Sequence, residues 1–523
     1  MLYLIPVALF GILTIVITAL RWRGMRMGYI WLLPASLIFI AWLAMVILPL
    51  PASPQMQEWN YLQLGGEGMS IRLVVDATSW SFLFLLISLV LVYFLTLTVR
   101  LDSEKRSVLW VAWLLLGALA MLTCTASNLV TLILLWTLID LLDYLFSRFV
   151  FKSIDPTTSA GSFLTRMLAI LLIMIAAIFG AGESGDIGGD ALNIPRFVLL
   201  LIAALLHMGI LPIRRPIDVD EGAGQSFDFL MRLVSLVIGL GLLARISGVI
   251  LPLLLSQILI AIFWLLAILF TILGFQEKSS LNQWSKAMVC LSAMAVVAGN
   301  PASVPAWCAL ACVGLGMYQF YRVRTTQIGI FIWLAALAIS GLPFTIGANA
   351  LQGLLQVNNP IPAILSLPVY ALLLLNFIEK MRAEKGSAAK VEAWYQAVYL
   401  FGLFLLNLMP FAIVVKHSTY LANAWQNWWL GVAVVVIALV GKIVDSRIDL
   451  PGRFRKRTEQ LVERIRRTLT FEWLGGLYSW LTLIFQEVLL FTTQLLEGEG
   501  GIIWAIVILA LMVSLVGAGA GGG

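Results

Sequence analysis

The stretch from Ser79 to Arg106 reads SWSFLFLLISLVLVYFLTLT VRLDSEKR, twenty uncharged residues followed by five charged residues within eight. A charged side chain at the centre of a bilayer costs about 3 kcal/mol or more, so a charge-free run of this length is typical of a helix that crosses a membrane. The charges that follow mark the point where such a helix returns to water. This stretch therefore predicts one membrane crossing and its exit.

The same pattern recurs along all 523 residues of the chain. Hydrophobic residues make up 61% and charged residues 11%, and the mean hydropathy is +0.99, whereas soluble domains carry about 25% charged residues. One crossing needs about 20 apolar residues. We therefore predict an all-α polytopic membrane protein with about sixteen spans: 2–20, 29–50, 79–98, 108–125, 128–151, 163–182, 195–214, 226–249, 251–274, 284–299, 302–320, 326–348, 362–378, 395–416, 427–445 and 501–518.

The basic residues alternate between the connections of these spans. Of 33 Lys and Arg, 28 lie in connections after odd-numbered spans and four after even-numbered spans, and Arg232 alone lies well inside a span. Because basic connections stay in the cytoplasm, we predict a protein of the cell inner (plasma) membrane with both termini outside. The basic residues are spread over many turns and form no stripe, so we expect no nucleic-acid partner.

Two spans carry a glycine followed closely by Leu-Pro. The first reads LLHMGILPIRRP, with Gly209 and Pro212, and the second reads AISGLPFTIGAN, with Gly341 and Pro343. A proline removes an amide donor and clashes with the preceding turn, so both helices should break there. Paired breaks five spans apart indicate inverted repeats with a transport site between them, although such prolines also occur without a function.

Few ionisable side chains remain inside the spans: Asp140 and Asp143 in span five, His207 in span seven, and Asp228 with Arg232 in span eight. Asp140 and His207 are predicted to lie at similar depth near the middle of the bilayer. Intramembrane acids and imidazoles indicate ion pathways, and a histidine titrates near neutral pH. The structural alternative for this couple is a satisfied polar pair between packed helices. For Asp228 and Arg232 it is a salt bridge that lets Arg232 reach the surface.

The remaining motifs argue against a self-contained enzyme. Four cysteines in apolar surroundings, without metal-type spacing, are interpreted as small buried hydrophobes: Cys124, Cys290, Cys308 and Cys312. The chain has only two histidines and no phosphate-binding glycine loop. We therefore expect no metal and no cofactor bound by this chain.

Several fragments of the chain resemble one family. They are Val75-Asp76-Ala77-Thr78 before span three, Asn128 to Trp136 in span five, Leu211-Pro212, and Ser340-Gly341-Leu342-Pro343. Together with the architecture, they are similar to the antiporter-like membrane subunits of proton-pumping NADH:quinone oxidoreductase (complex I) and of multisubunit sodium/proton antiporters. The resemblance implies two inverted five-helix repeats, each forming half of a proton channel, and other membrane subunits as partners. It implies no redox centre in this chain.

This resemblance, with the pattern of spans, divides the chain into segments. Residues 452–499 begin with Arg453-Phe-Arg-Lys-Arg and continue in mixed polarity, which predicts an amphipathic lateral helix on the cytoplasmic surface. That helix either clamps neighbouring subunits or tethers the last span. The predicted segments are spans one to three (1–107), the first repeat (108–250), the second repeat (251–378), spans fourteen and fifteen (379–451), the lateral helix (452–499), and the last span with an unstructured tail (500–523).

The chain departs from the family pattern at its titratable positions. The glutamate that the family places after Trp136 falls on Thr137, so Asp140 is the nearest acid, and the family lysine of span seven falls on His207. A histidine expected in span eight falls on Met231. In the second repeat, the expected lysines fall at Trp307 or Cys308 and near Leu351, and no ionisable residue lies well inside spans ten to thirteen. The second repeat is therefore not expected to conduct as the family does.

Three hypotheses follow from the sequence. The first is a subunit of a complex-I-like, ion-translocating assembly in which only the first repeat conducts protons, through Asp140 and His207. The second is a scaffold subunit that has lost conduction. The third is an energy-coupling membrane subunit of a two-component importer of inorganic carbon or ions, whose partner would be one large soluble zinc protein.

Overall fold

A computed structural model describes residues 2–23, 30–64, 67–100, 103–151, 156–179, 187, 193–211, 223–246, 251–276, 280–320, 329–355, 360–383, 393–417, 419–420 and 427–447. Helices dominate these residues. In chain order they are α1 (Ile5–Trp22), α2 (Leu32–Ile47), α3 (Ala77–Arg100), α4 (Ser103–Thr125), α5 (Leu129–Leu145), α6 (Pro156–Phe179), α7 (Ile194–His207), α8 (Ala223–Arg245), α9 (Leu253–Gln276), α10 (Ser280–Val297), α11 (Val304–Phe320), α12 (Gly329–Ile339), α13 (Ile346–Gln352), α14 (Ile361–Ala383), α15 (Ala393–Lys416) and α16 (Trp428–Arg447).

These helices lie where the sequence predicts the first fifteen spans, with α12 and α13 together occupying span twelve. Within the described ranges, ten helices are long and apolar enough to cross a membrane, and four apolar helices are shorter. The chain is therefore a multi-pass membrane protein. The predicted lateral helix, last span and tail, at 452–523, lie outside the described residues, so sixteen crossings stay a prediction.

One element departs from the all-helical prediction. Strands β1 (Gln55–Leu64) and β2 (Glu67–Val75) form an antiparallel hairpin between α2 and α3. The hairpin joins the helices below it through backbone groups: Asn128 Nδ2 donates to Ser70 O over 2.6 Å, and Arg72 N donates to Thr131 Oγ1 over 2.9 Å. Asn128 Oδ1 also accepts from Thr131 N, so the residue that caps α5 fixes the hairpin on the start of this helix.

Helix α3 is the centre of the bundle. Its residues 79–97 are all buried, and it packs against α2, α4, α11 and α15. Asp76 and Ser79 begin it with a reciprocal cap, in which Ser79 N donates to Asp76 Oδ1 over 2.7 Å and Asp76 N donates to Ser79 Oγ over 2.8 Å. This pairing satisfies two amides that the first turn leaves without helical partners.

Hydrogen bonds join helix ends that the charge alternation assigns to one side. Lys416 Nζ, at the end of α15, donates to Leu48 O after α2 over 2.9 Å. Arg245, which ends α8, donates to Cys124 O near the end of α4 over 3.0 Å. On the opposite side, Lys442 of α16 pairs with Glu379 of α14 at 2.8 Å. Alternate ends therefore lie together, while the assignment of one side to the cytoplasm stays a prediction.

Candidate functional site

Helix α5 turns one face inward and the other outward, and this decides which of its polar groups meet the bundle. Trp136 and Asp140 are four residues apart on the buried face. Thr137, at the position of the family glutamate, is exposed and donates to the Ile133 carbonyl oxygen of its own helix. Of these residues, Asp140 is the one that carries a carboxylate into the bundle.

Helix α7 ends at His207, and the local hydrogen bonds explain why. Gly209 has a φ of +68°, a left-handed conformation that glycine adopts at little cost. Gly209 N donates to Leu206 O and Ile210 N donates to Leu205 O, both over 3.0 Å, which closes the helix in a Schellman motif. The glycine therefore ends α7, and Pro212 lies outside the described residues. His207 is the last residue of α7, beside the turn that ends the helix.

Asp140 and His207 meet in the interior of the bundle. The Nε2 atom of His207 lies 3.3 Å from Oδ1 of Asp140, and both side chains are completely buried. The imidazole also lies against the indole of Trp136, with 4.0 Å between the ring centroids. Both carboxylate oxygens and both ring nitrogens lack a hydrogen bond of good geometry to any described residue. Buried polar atoms of this kind bind ordered water, the medium through which protons move.

A third charged residue, Arg166 of α6, completes this cluster. Its Nη1 atom lies 3.6 Å from Oδ1 of Asp140 and makes a close ion pair with Asp143. Ser147 Oγ donates to the same Asp143 carboxylate over 3.3 Å. The guanidinium thus contacts two carboxylates one helical turn apart, and Asp140 lies between the Arg166 guanidinium and the His207 imidazole.

Exposure increases from this cluster toward the side of the basic connections. The side chains of Asp140 and His207 are 0% exposed, that of Asp143 is 15%, and that of Asp228 in α8 is 28%. Asp228 pairs with Arg232 at 2.7 Å on its own helix and also acts electrostatically on Asp143 and Arg166. The five predicted residues and Arg166 can therefore be ordered by increasing exposure. The order begins at the buried Asp140 and His207 and ends at the partly exposed Asp228–Arg232 pair.

The second break has similar backbone geometry but no ionisable side chain. Helix α12 ends at Ile339, Gly341 has a φ of +77°, and Pro343 lies in the turn before α13. Ser340 and Thr345 donate to the carbonyl oxygens of Leu337 and Leu342, both over 2.7 Å. The positions where the family carries lysines are buried and apolar in α11 and α13: Trp307, Cys308 and Leu351.

Sequence analysis misplaced three basic residues by assigning them to connections. Arg196 and Lys286 are buried within α7 and α10, and the Arg166 side chain in α6 is 11% exposed, whereas Arg232, the one placed deep in a span, is 34% exposed. Lys286 puts an ammonium group into the second repeat, 5.6 Å from the centroid of the Phe270 ring. The position where α6 begins would have indicated that Arg166 lies inside this helix. Pro156 begins α6, so Arg166 lies ten residues into this helix.

Comparisons with known proteins reveal the fold of the chain. No protein-family profile and no curated sequence matches it. A chain of the Mrp complex from Dietzia sp. superposes with a TM-score of 0.67 and 15% identity over 99% of this chain. This chain spans 63% of the length of that Mrp chain.

Two respiratory complexes contain further similar chains. One belongs to complex I from Thermus thermophilus (TM-score 0.57, 14% identity, 83% of this chain and 99% of that chain). Another belongs to the membrane-bound sulfane sulfur reductase, an archaeal respiratory membrane complex (0.60, 14%, 98% and 99%). The chain therefore has the fold of the antiporter-like membrane subunits of complex I and related complexes. At these identities the comparison shows the fold and no more.

Proposed function

We propose that this chain is a membrane subunit of a complex-I-like or Mrp-like assembly and conducts protons through its first repeat. The observation that carries the proposal is the buried contact of Asp140 with His207, 3.3 Å apart. Isolated ionisable groups inside a membrane bundle mark ion pathways because their burial costs free energy that a purely structural role does not repay. We propose that other membrane subunits surround this chain and that an electron donor drives the assembly. This chain itself would supply no redox centre.

The proposed path runs inward from the partly exposed Asp228. A proton reaches Asp143 and then Asp140 through water beside Arg166, and Nε2 of His207 accepts it from the Asp140 side. While His207 is neutral, Arg166 is the cation nearest to Asp140. Once His207 is protonated, its imidazolium competes for the same oxygen, and the negative end of α7 and the face of Trp136 stabilise it. Asp140 thus exchanges one cationic partner for the other with each proton.

We also propose an arrangement of the chain in the membrane, based on its apolar spans and on the alternation of basic connections. Sixteen helices would cross the inner (plasma) membrane, with the repeats at 108–250 and 251–378 in inverted orientation. The amphipathic segment 452–499 would lie on the cytoplasmic surface, and both termini would lie outside. The half-path through Asp228 and Asp143 would then open to the cytoplasm, because α5 ends and α8 begins beside basic connections.

The test removes each titratable group from the intact assembly. Asp140→Asn and His207→Gln should each reduce proton uptake by inverted vesicles at least tenfold, because a barrier raised by about 1.4 kcal/mol already has this effect. The complex would be captured through a tag on this chain, its subunits identified by mass spectrometry, and pumping measured against electron transfer. Glu379→Gln is the matched control, since it removes a half-exposed carboxylate at a helix end and should leave pumping unchanged.

A second candidate, a non-conducting scaffold, is favoured by the side chains at the family's relay positions in the second repeat. Trp307, Cys308 and Leu351 stand where the family carries lysines, and all three are buried. The scaffold predicts that Asp140→Asn and His207→Gln leave the stoichiometry of pumping unchanged, while deletion of the chain prevents assembly. Unchanged stoichiometry in both variants would therefore reject conduction through this chain.

A further inference from the structure

A crevice opens on the face of the bundle remote from the charged cluster. Helices α2 and α15 both pack on α3, and they touch where Phe39 meets Phe401, with 5.7 Å between ring centroids. They touch again at their far ends, where Lys416 donates to Leu48 O. Toward their first residues a space of about 340 Å³ separates them. The crevice is therefore closed at its inner end and open near Trp31 and Trp394.

The lining of this crevice is apolar except at its mouth. Leu91 and Leu95 of α3 form the floor, and the aromatic rings of Phe39 and Phe401 close the inner end. At the mouth, the ring of Trp31 is 1% exposed, and its Nε1–H has no hydrogen-bond acceptor among the described residues. A buried indole N–H normally has a partner. Trp31 therefore carries a buried donor without an acceptor among the described residues, at the end of the crevice where both helices begin.

The dimensions of the crevice match one hydrocarbon chain. From Trp31 to Phe39 is eight residues, about 12 Å along a helix, and one leaflet contributes about 15 Å of hydrocarbon. A transmembrane helix, about 10 Å across, does not fit between two helices that converge to contact. Trp31 and Trp394 stand at the beginning of α2 and α15, and tryptophans at the ends of membrane helices are typically found among lipid headgroups. A phospholipid would therefore have its acyl chain inside and its headgroup at the tryptophans.

Basic residues on the same predicted side of the membrane as the mouth favour an anionic headgroup. Arg21 and Arg23, at the end of α1, are exposed and lie ten and eight residues before Trp31 in the sequence. Each basic residue near an anionic membrane surface contributes about 1 kcal/mol of attraction. We propose that this crevice is a binding site for an anionic phospholipid, with one acyl chain between α2 and α15 and a headgroup or ester oxygen accepting from Trp31 Nε1.

The test uses the assembled complex in vesicles that contain phosphatidylglycerol with a photoactivatable group on one acyl chain. We expect adducts on Phe39, Leu91 and Phe401. Ala397→Trp fills the mouth and should reduce their yield about tenfold, because overpacking costs about 1–3 kcal/mol. Trp31→Phe keeps the ring but removes the donor, and should reduce it about fivefold through the loss of one hydrogen bond. Ile40→Trp, on the exposed side of α2, is the matched control and should have no effect.

Three outcomes would overturn the proposal. Adducts spread evenly over α2 and insensitive to Ala397→Trp would show ordinary lipid contact. Adducts that form only after partner subunits are removed would show that a partner covers the crevice. Equal labelling by phosphatidylcholine with the same acyl chain would reject the anionic headgroup. Preferential labelling by phosphatidylglycerol, lost in Ala397→Trp and kept in Ile40→Trp, supports it.

Discussion

At the scale of single residues, Arg166 is the charge on which the cluster depends. It is 11% exposed and lies between two carboxylates, one of which, Asp140, is completely buried. A buried ion pair adds little net stability, because desolvation offsets most of the attraction, but the removal of one partner leaves the other charge buried and uncompensated. Arg166 is therefore needed for folding as well as for the proposed path.

The variant Arg166→Gln tests this dependence. We expect the free energy of unfolding to fall by about 3–5 kcal/mol, measured as a lower midpoint of thermal unfolding in the purified assembly. Lys442→Gln breaks the half-exposed pair with Glu379 and should cost less than about 1 kcal/mol. Equal effects of the two substitutions would contradict the structural importance of Arg166.

His417, the second histidine, makes stability depend on pH in a defined direction. It follows α15, where Nε2 lies 2.8 Å from Ser81 Oγ and the ring stacks on Tyr420, and burial lowers its pKa to about 4 from the usual value of about 6.5. Between these values the unfolded chain binds a proton that the folded chain does not, so stability falls as the pH falls from 6.5 toward 4. The total loss is about 3 kcal/mol.

His417→Gln should therefore flatten the dependence of the unfolding midpoint on pH between about 6.5 and 4. Below the lower value both forms are protonated, and His417 adds no further dependence. An unchanged slope in the variant would show that His417 is solvated in the folded protein.

Single charges inside apolar runs are readable from sequence, and this is why the proximity of Asp140 and His207 could be predicted. Arg166 could not, because its assignment depended on where α6 begins. The predicted span started at residue 163, whereas the helix starts at Pro156. An error of seven residues moves a side chain by about 10 Å along a helix, from the membrane surface into the interior.

At the scale of elements, the second helix break is held by contact between backbones. Gly431 of α16 packs against Gly341, and a Cβ atom on Gly431 would overlap the Gly341 carbonyl oxygen. Small residues at such positions let membrane helices approach closely. The break between α12 and α13 therefore depends on a glycine in another helix.

Gly431→Ala should destabilise the protein by about 1–3 kcal/mol, because backbone atoms cannot move away as a flexible side chain can. Gly441→Ala is the matched control on the same helix. Its added Cβ would lie 3.5 Å from Leu375 Cδ1, an ordinary contact, and alanine favours a helix over glycine. We expect a lower unfolding midpoint for the first variant only. A similar decrease in both would assign the effect to α16 in general.

The β1–β2 hairpin was not predicted from the sequence, for a physical reason. Its strands flank Gly65-Gly66, a dipeptide typical of two-residue hairpin loops. The search for apolar runs passed over 51–78 as a connection, since strands there alternate polar and apolar residues and contain no apolar run. Helices, whose apolar runs are long, were located to within a few residues, apart from the start of α6 and the end of α7, each of which differs from its prediction by seven residues.

At the scale of the whole molecule, the alternation of charge predicts which ends face the cytoplasm. The four cysteines are buried and free of disulfides, so a cysteine introduced at the surface reports on its own position. In intact cells, a maleimide that cannot cross the membrane should label Met56→Cys in the hairpin. It should label Lys442→Cys at the end of α16 only after the membrane is opened. The reverse order would invert the proposed topology.

The position of Arg166 also affects which cations could use the proposed path through Asp143 and Asp140. A guanidinium keeps its charge at any physiological pH, so it repels sodium and potassium ions as they approach the buried Asp140. On the proposed path a proton would avoid this repulsion, because it would move by exchange between water, carboxylate and imidazole without an ion travelling past the arginine. Fixed positive charge in a narrow pore is a known barrier to cations. A subunit built in this way would select for protons over alkali metal ions without a binding site shaped for either.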